Sequence, residues 1–305
     1  MVGGSATDWG WEVSDAPEMT IKALAPWFGG KRTLAPRIIA ELGKHSAYWE
    51  PFCGGLSVLL NKQPSSHETV NDLHGDLINL ARVLAHEDQA PQLYGRLARV
   101  LFDEKRREDS LACIAIATDP VDRAFHWFIV NWFGRNGFSG TKGSDKSSFS
   151  VRWTPSGGHG GQRFHSAVES IPAWHHRLRR VTILQRDAFD VINNIDDHPQ
   201  VALYCDPPYL AKAAEYEHDF TADGGIFADD HTRLAQALSR FTRARIVVSY
   251  YRHERLAELY PPERWTVVDC SMSKGLHNAG KRGNTAREAP ELLIVNGPSF
   301  TEGTQ

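Results

Sequence analysis

The 305-residue chain holds only four cysteines, and Cys53, Cys113, Cys205 and Cys270 are too far apart for a C-x-x-C pair or a mixed Cys/His ligand set. That excludes a disulfide-stapled scaffold and a structural zinc site, so the expectation is a reducing compartment and no metal. The 14 histidines do not alter it, because the His175-His176 pair lacks a third ligand at helical spacing. No apolar run approaches the roughly 20 residues a membrane helix needs, so no membrane partner is expected. Residues 1–20 lack a basic start followed by an apolar stretch and read as a polar tail, not a secretion signal, which points to the cytoplasm. Excess charge is missing too. With 34 Lys plus Arg against 37 Asp plus Glu, the formal charge is −3, and contact with a polyanion must come from local clusters.

What is present is an ordinary globular composition, 41% hydrophobic and 23% charged, with length enough for one large α/β domain carrying an insertion. Short apolar runs alternate with helical patterns, the signature of a parallel sheet wrapped by helices. Runs 47–50 and 68–72 bracket a short helix read from Leu56, Val58, Leu59 and Leu60. Leu73, Leu77, Leu80, Ala81 and Leu84 then follow at spacings of three and four, giving a helix with one apolar face. After residue 180 the pattern resumes, with 181–184, 201–205, 246–249, 265–269 and 292–295 as buried strands. Leu234, Leu238 and Phe241 mark a helix capped by Asp229 or Asp230. Residues 86–178 break the rhythm: they are richer in Arg, Lys, Trp and Ser, and Gly, Ser and Lys dominate 134–161. The expected organisation is a flexible tail at 1–20, a split α/β domain at 21–85 and 179–305, and an inserted recognition module at 86–178.

The most informative tetrapeptide is Asp206-Pro207-Pro208-Tyr209, directly after run 201–205 and so at a strand's carboxyl end, where open α/β sheets place ligands. These residue types suit the activation of an amine whose lone pair is delocalised into an aromatic ring. The Asp206 carboxylate and the Pro207 carbonyl can accept its two N–H bonds and localise the pair. Consecutive prolines stiffen the turn, and Tyr209 offers a flat face to an extruded base. The plainer alternative is a rigid strand-ending turn with a solvated acid.

Two further segments belong with it. Phe52-Cys53-Gly54-Gly55 is a glycine-rich turn between strand and helix that lets a ligand approach the backbone, with helix N–H groups near a carboxylate. Asp72, 22 residues after Glu50, ends the next strand where an acid meets ribose hydroxyls in nucleotide sites. A tight turn and a helix cap are the plain alternatives. Trp27-Phe28-Gly29-Gly30-Lys31 combines aromatic surface, flexible backbone and a cation, or is an exposed loop.

Taken in order, Pro26 to Lys31, Glu50 to Leu60, Asn71-Asp72, Asp187 with Phe189, Asp206 to Tyr209 and Glu291 to Asn296 resemble the motif series of Dam-type DNA adenine-N6 methyltransferases. The resemblance covers nearly the whole chain. It implies an α/β, Rossmann-like S-adenosylmethionine-dependent methyltransferase sheet with an inserted, mostly helical DNA-recognition domain. It further implies methyl transfer from S-adenosylmethionine to a flipped adenine in double-stranded DNA, by a monomer or weak dimer. It carries Trp27, Gly29, Lys31, Glu50, Phe52, Gly54 and Gly55 to the cofactor site, Asp72 to its ribose, and Asp187 with Ala188 to its adenine edge. Asp206, Pro207 and Tyr209 go to catalysis, Asp206 also beside the cofactor, and Lys31 near the DNA. Leu56 departs from the pattern, standing where many relatives carry a third glycine. Direct displacement at a sulfonium needs neither a metal nor a covalent enzyme intermediate.

Rival readings are a cytosine-N4 methyltransferase, a catalytically silent DNA-binding relative and a dinucleotide-dependent dehydrogenase. Asp in place of Ser before the prolines favours adenine, and a dehydrogenase leaves Asp206 to Tyr209 without a purpose.

Within the insert, Arg135-Asn136-Gly137-Phe138-Ser139-Gly140 and Phe149-Ser150-Val151-Arg152 resemble the flanks of the family's DNA-entering hairpin. Arg135, Asn136, Lys142, Lys146 and Arg152 are then candidate DNA contacts. Lys105-Arg106-Arg107 is bounded by Glu104 and Glu108 and reads equally as a solvated helix face. A second basic stretch with Lys274, Lys281, Arg282 and Arg287 reads as a loop near the catalytic mouth, or as ordinary surface. Clusters that neutralise several phosphates would make affinity fall steeply with salt.

Overall fold

The computed structural model describes residues 18–27, 29–135, 148–151, 153, 158–210, 229–270, 272–273, 288–289 and 291–301. In chain order it begins with α1 (Ala35–Leu42), β1 (Ala47–Glu50), α2 (Ser57–Asn61), β2 (His67–Asn71) and α3 (Gly75–Ala85). Five helices follow, α4 (Gln89–Leu97), α5 (Glu104–Ile114), α6 (Pro120–Phe133), α7 (Gly160–Glu169) and α8 (Ile171–Leu178). Then come β3 (Thr182–Leu184), α9 (Ala188–Asn193), β4 (Val201–Cys205), α10 (Asp230–Ser239) and β5 (Arg245–Tyr251). The last elements are α11 (Leu256–Leu259), β6 (Trp265–Asp269), β7 (Met272–Ser273), β8 (Glu288–Ala289) and β9 (Glu291–Asn296). Two compact units result: residues 1–32, 54–64 and 72–185 form the first, and 33–53, 65–71 and 186–305 the second.

The second unit carries a mixed, Rossmann-like sheet whose strands run β2-β1-β4-β5-β9-β6. β1, β2, β4 and β5 are mutually parallel, while β9 runs antiparallel to both β5 and β6. Every residue of β4 is buried, as expected of a parallel strand covered on both faces, and this is why Val201 to Cys205 reads as an unbroken apolar run. Because four strands are parallel, their carboxyl ends share one edge of the sheet. A buried carboxylate anchors the opposite end of the chain to this sheet. Glu41 on α1 is fully buried and accepts from Arg245 Nη2 at 2.8 Å, Ser299 Oγ at 2.6 Å and the Phe300 amide at 3.0 Å. Burial works to raise its pKa, but hydrogen bonds from Ser299, Thr301 and Phe300 outweigh that and hold it below the usual carboxylate range.

The first unit is helical apart from β3. Its centre is α3, which packs on α4, α6 and α8, so Ile78 and Val83 are buried along with the expected Leu77, Leu80, Ala81 and Leu84. The single apolar stripe read from spacing is therefore only part of its buried surface. Asp103 and Asp119 cap α5 and α6, accepting from the amides of Arg106 and Asp122, and Pro120 opens α6 where its missing N–H is harmless. α5 separates the basic triplet: Lys105 is exposed and paired with Glu108 and Asp109 on its own helix, whereas Arg107 is buried. Gly134 and Phe149 form an antiparallel bridge, backed by Arg135 N to Ser148 O at 3.0 Å and Ser150 N to Phe133 O at 2.9 Å. Phe102, Phe133 and Phe149 cluster beneath it, with ring centroids 4.5 Å and 4.7 Å from Phe102. Among the described residues, no helix is long and apolar enough to cross a membrane.

Candidate functional site

In the second unit, Asp206 to Tyr209 follow β4 at the carboxyl edge of the parallel strands, the position at which open α/β sheets bind ligands. Asp206 is half-buried, and Pro207, Pro208 and Tyr209 are buried. Asp206 Oδ1 accepts from the Tyr209 hydroxyl at 3.0 Å and from Ser249 Oγ at 3.2 Å. Ser249 Oγ lies 2.6 Å from the Tyr204 hydroxyl, and the Tyr209 hydroxyl is also 3.3 Å from Glu291 Oε1. Burial, then the Asp206 charge, pushes the Tyr204 phenol well above its usual range, so it stays protonated. The Tyr209 ring, read from sequence as a stacking face, is only 2% exposed, with its centroid 4.4 Å from that of Tyr251 in an edge-to-face contact. Presenting that face to a base requires the ring to leave Tyr251.

Neighbouring strands add the other candidates of this unit. Glu50, at the end of β1, is buried and accepts from the Tyr48 hydroxyl at 2.9 Å. Asp187 caps α9 by accepting from the Phe189 amide at 2.8 Å, which leaves Ala188 buried in the first turn. A residue quoted only as part of a motif ties these loops together. Asn71 is 1% exposed; its Nδ2 donates to the carbonyls of Pro51 and Arg186, both at 3.0 Å, and its Oδ1 accepts from the Arg186 amide at 2.8 Å. Its own carbonyl accepts from the Cys53 amide at 2.9 Å. One buried amide thus sets the spacing between the turn carrying Phe52 and the turn carrying Asp187. Asn71→Ala orphans the Arg186 amide and is expected to lower unfolding free energy by about 1–3 kcal/mol. Asn71→Asp, which turns an oxygen toward two carbonyls, is expected to be worse than Ala; urea titration of the three proteins gives the order.

The first unit groups Trp27, Gly54, Gly55 and Asp72. Asp72 Oδ2 accepts from the Gly54 amide at 2.9 Å and Oδ1 from the His74 amide at 2.9 Å, so the carboxylate is held in the turn before α3. The N-cap of α3 is His74, whose ring accepts from Leu77 N, and Asp72 is thereby relieved of the capping role that the plain alternative gave it. The Trp27 indole stands edge-on to His74 with centroids 5.3 Å apart. Gly54 has φ +44, and a Cβ there would lie 2.7 Å from Trp27 Nε1; one on Gly55 would meet the Ala25 carbonyl and Trp27 Cβ at 3.2 Å. Leu56, the departure from the family pattern, has φ 60 and caps α2 in the left-handed region. That conformation costs a leucine about 1–2 kcal/mol, offset by roughly 1.5–3 kcal/mol from burying its side chain completely. Lys31 is buried and its Nζ donates to the Gly29 carbonyl. Arg135 is exposed, while Asn136, Lys142, Lys146, Arg152, Lys274, Lys281, Arg282 and Arg287 lie outside the described residues.

Ser249, Tyr204 and Asn71 were given no role from sequence. Ser249 and Tyr204 are polar groups inside apolar strands of the parallel set, and that is the signal that marks them, whereas Asn71 ends the mostly polar strand His67–Asn71 and carries no such signal.

Comparison with known proteins agrees with the motif series. The family model for D12 class N6 adenine-specific DNA methyltransferase matches residues 27–273. DNA adenine methylase of Vibrio cholerae serotype O1 is 25% identical over 288 residues, 92% of this chain and 98% of that protein. The DNA adenine methylase of Escherichia coli (strain K12) is 24% identical over 289 residues, 91% and 96% of the two chains. That of Serratia marcescens is 27% identical over 248 residues, 78% and 87%. With the family model spanning most of its length, this chain belongs to the D12 class of N6 adenine-specific DNA methyltransferases.

Proposed function

We propose that the chain transfers a methyl group from S-adenosylmethionine to the exocyclic amine of an adenine flipped out of duplex DNA. The observation that carries this reading is Asp206, held by two hydroxyls at the carboxyl end of β4 and followed by two prolines. Its carboxylate and the Pro207 carbonyl accept the two N–H bonds of the amine, which frees the nitrogen lone pair for attack. The stiff turn keeps both acceptors in position before the base arrives. Tyr209 stacks on the base once its ring turns from Tyr251.

The residues of the first unit suit the methyl donor. Asp72 offers carboxylate oxygens to ribose hydroxyls, Trp27 an aromatic surface, and Gly54 and Gly55 a turn without side chains, with Gly29 and Lys31 nearby in sequence. Glu50 and Phe52 are the candidates for the amino-acid end of the donor, and Asp187 with Ala188 for its adenine edge. Bound S-adenosylmethionine supplies the methyl as part of an electrophilic sulfonium. The amine proton leaves to Asp206.

DNA recognition falls to residues 86–178, inserted between the catalytic segments 21–85 and 179–305, through Arg135, Asn136, Lys142 and Arg152. Lys274, Lys281 and Arg282 are the further DNA contacts of this reading, and Lys31 the cation for the DNA beside the target base. The protein acts in the cytoplasm as a monomer or weak dimer. The decisive test incubates it with unmodified duplex DNA and methyl-labelled S-adenosylmethionine, digests the DNA to nucleosides and identifies the labelled one by mass spectrometry. Label in N6-methyl-2′-deoxyadenosine is expected. Label in N4-methyl-2′-deoxycytidine would move the reaction to cytosine, and unlabelled DNA would leave a binding protein.

A further inference from the structure

Behind Asp206 runs a line of buried hydroxyls that the mechanism above leaves unused. We propose that Ser249 is a positioning residue for the Asp206 carboxylate and that Tyr204 in turn orients Ser249, an inference that rests on Asp206 being the acceptor of the substrate amine. The strand register creates the arrangement. β4 and β5 are parallel partners with Tyr204 opposite Val247 and Cys205 opposite Val248, so Ser249 is next in line, level with Asp206. Ser249 is fully buried. Its Oγ is 2.6 Å from the Tyr204 hydroxyl and 3.2 Å from Asp206 Oδ1.

Proton counting fixes the direction. A serine hydroxyl has one proton, and an ionised carboxylate only accepts. Ser249 therefore donates to Asp206 and must accept from Tyr204, whose phenol is kept protonated by burial and by the Asp206 charge. The terminal torsion of an aspartate is broad, so a carboxylate at the end of a strand has no preferred plane of its own. Here Oδ1 is gripped from two sides, by Ser249 from a central strand and by Tyr209 from the turn itself. The two grips differ. The Tyr209 hydroxyl is shared with Glu291 Oε1 at 3.3 Å, and the ring must leave Tyr251 to stack on a base. Ser249, fixed on a buried strand, keeps its hold on the carboxylate while Tyr209 moves.

Kinetics of the full chain with unmodified plasmid DNA and S-adenosylmethionine test this with Ser249→Ala, Tyr204→Phe, the double variant and Asp206→Ala. Ser249→Ala is expected to lower kcat about 10-fold, one hydrogen bond to a charged group. KM for both substrates should stay within about 2-fold, since the residue touches neither. Ser249→Ala also strands the buried Tyr204 hydroxyl and lowers Tm. The double variant removes both hydroxyls, so it should regain Tm while kcat stays low. Recovery of kcat together with Tm would mean a merely structural role and overturn the proposal, as would wild-type kcat in Ser249→Ala. Asp206→Ala separates the two levels. If it is inactive while Ser249→Ala is normal, only the positioning role falls; if it methylates normally, the reading of Asp206 falls and takes this inference with it.

Discussion

Asp206→Ala is expected to lower turnover by roughly 100- to 1,000-fold, the range seen when one preorganised transition-state contact is deleted. Cofactor binding should be largely intact, because the proposed cofactor residues Trp27, Gly54 and Asp72 have contacts of their own that do not involve residue 206. Alanine also removes the oxygen that the Tyr209 and Ser249 hydroxyls share, leaving Tyr209 to Glu291 Oε1 and Ser249 to the Tyr204 hydroxyl, at a stability cost of about 1–3 kcal/mol. Part of any loss measured below the variant's lowered Tm is still chemical, and Asp206→Asn isolates it. Asparagine keeps a carbonyl oxygen for the two hydroxyls but sets an NH2 donor where the amine needs an acceptor. It should therefore be folded and still inactive. Single-turnover methylation at saturating cofactor, beside cofactor binding by calorimetry, measures both quantities. Methylation by Asp206→Ala at the wild-type rate would remove the carboxylate from the mechanism.

The parts of this site that sequence reveals are those whose causes are local. The run from Val201 to Cys205 is apolar throughout because both faces of β4 are covered, and the turn at the carboxyl end of a buried parallel strand sits at the ligand edge. The cap of α10 is equally local: Asp229, one of the two acids named, accepts from Thr232 N. Partnerships across the chain are not legible in this way. Asn71 meets Arg186 across 115 residues and Ser249 meets Asp206 across 43, and nothing in either segment announces the other. The burial of Tyr209 depends on Tyr250 and Tyr251 of β5, so its accessibility cannot be read from the tetrapeptide that contains it. Leu56 is intermediate: it is visible as a missing glycine, but only its φ of 60 tells that the backbone there is left-handed.

Gly54→Ala should be strongly damaging to the turn before α2. Its φ of +44 lies where an L side chain is strained, worth about 1–2 kcal/mol. Its Cβ would sit 2.7 Å from Trp27 Nε1 and 2.9 Å from Cδ1, closer than real contacts, so the indole must move or the turn must open. Either response disturbs more than one candidate ligand of the cofactor, since the Gly54 amide also holds Asp72 Oδ2 at 2.9 Å and Trp27 leans on His74. Affinity for S-adenosylmethionine is expected to fall roughly 10- to 100-fold, at about 1.4 kcal/mol for each factor of ten. Leu56 shows why the neighbouring strain is tolerated and this one would not be. A leucine repays its left-handed backbone by burying a large side chain, whereas a methyl at 54 gains almost no burial against the clash it creates. Gly55→Ala provides the control. Its contacts at 3.2 Å are tight but its φ is not left-handed, so its loss of affinity should be several-fold smaller. Equal affinities for the two alanine variants, measured by calorimetry, would show that the turn does not shape the cofactor site through Trp27.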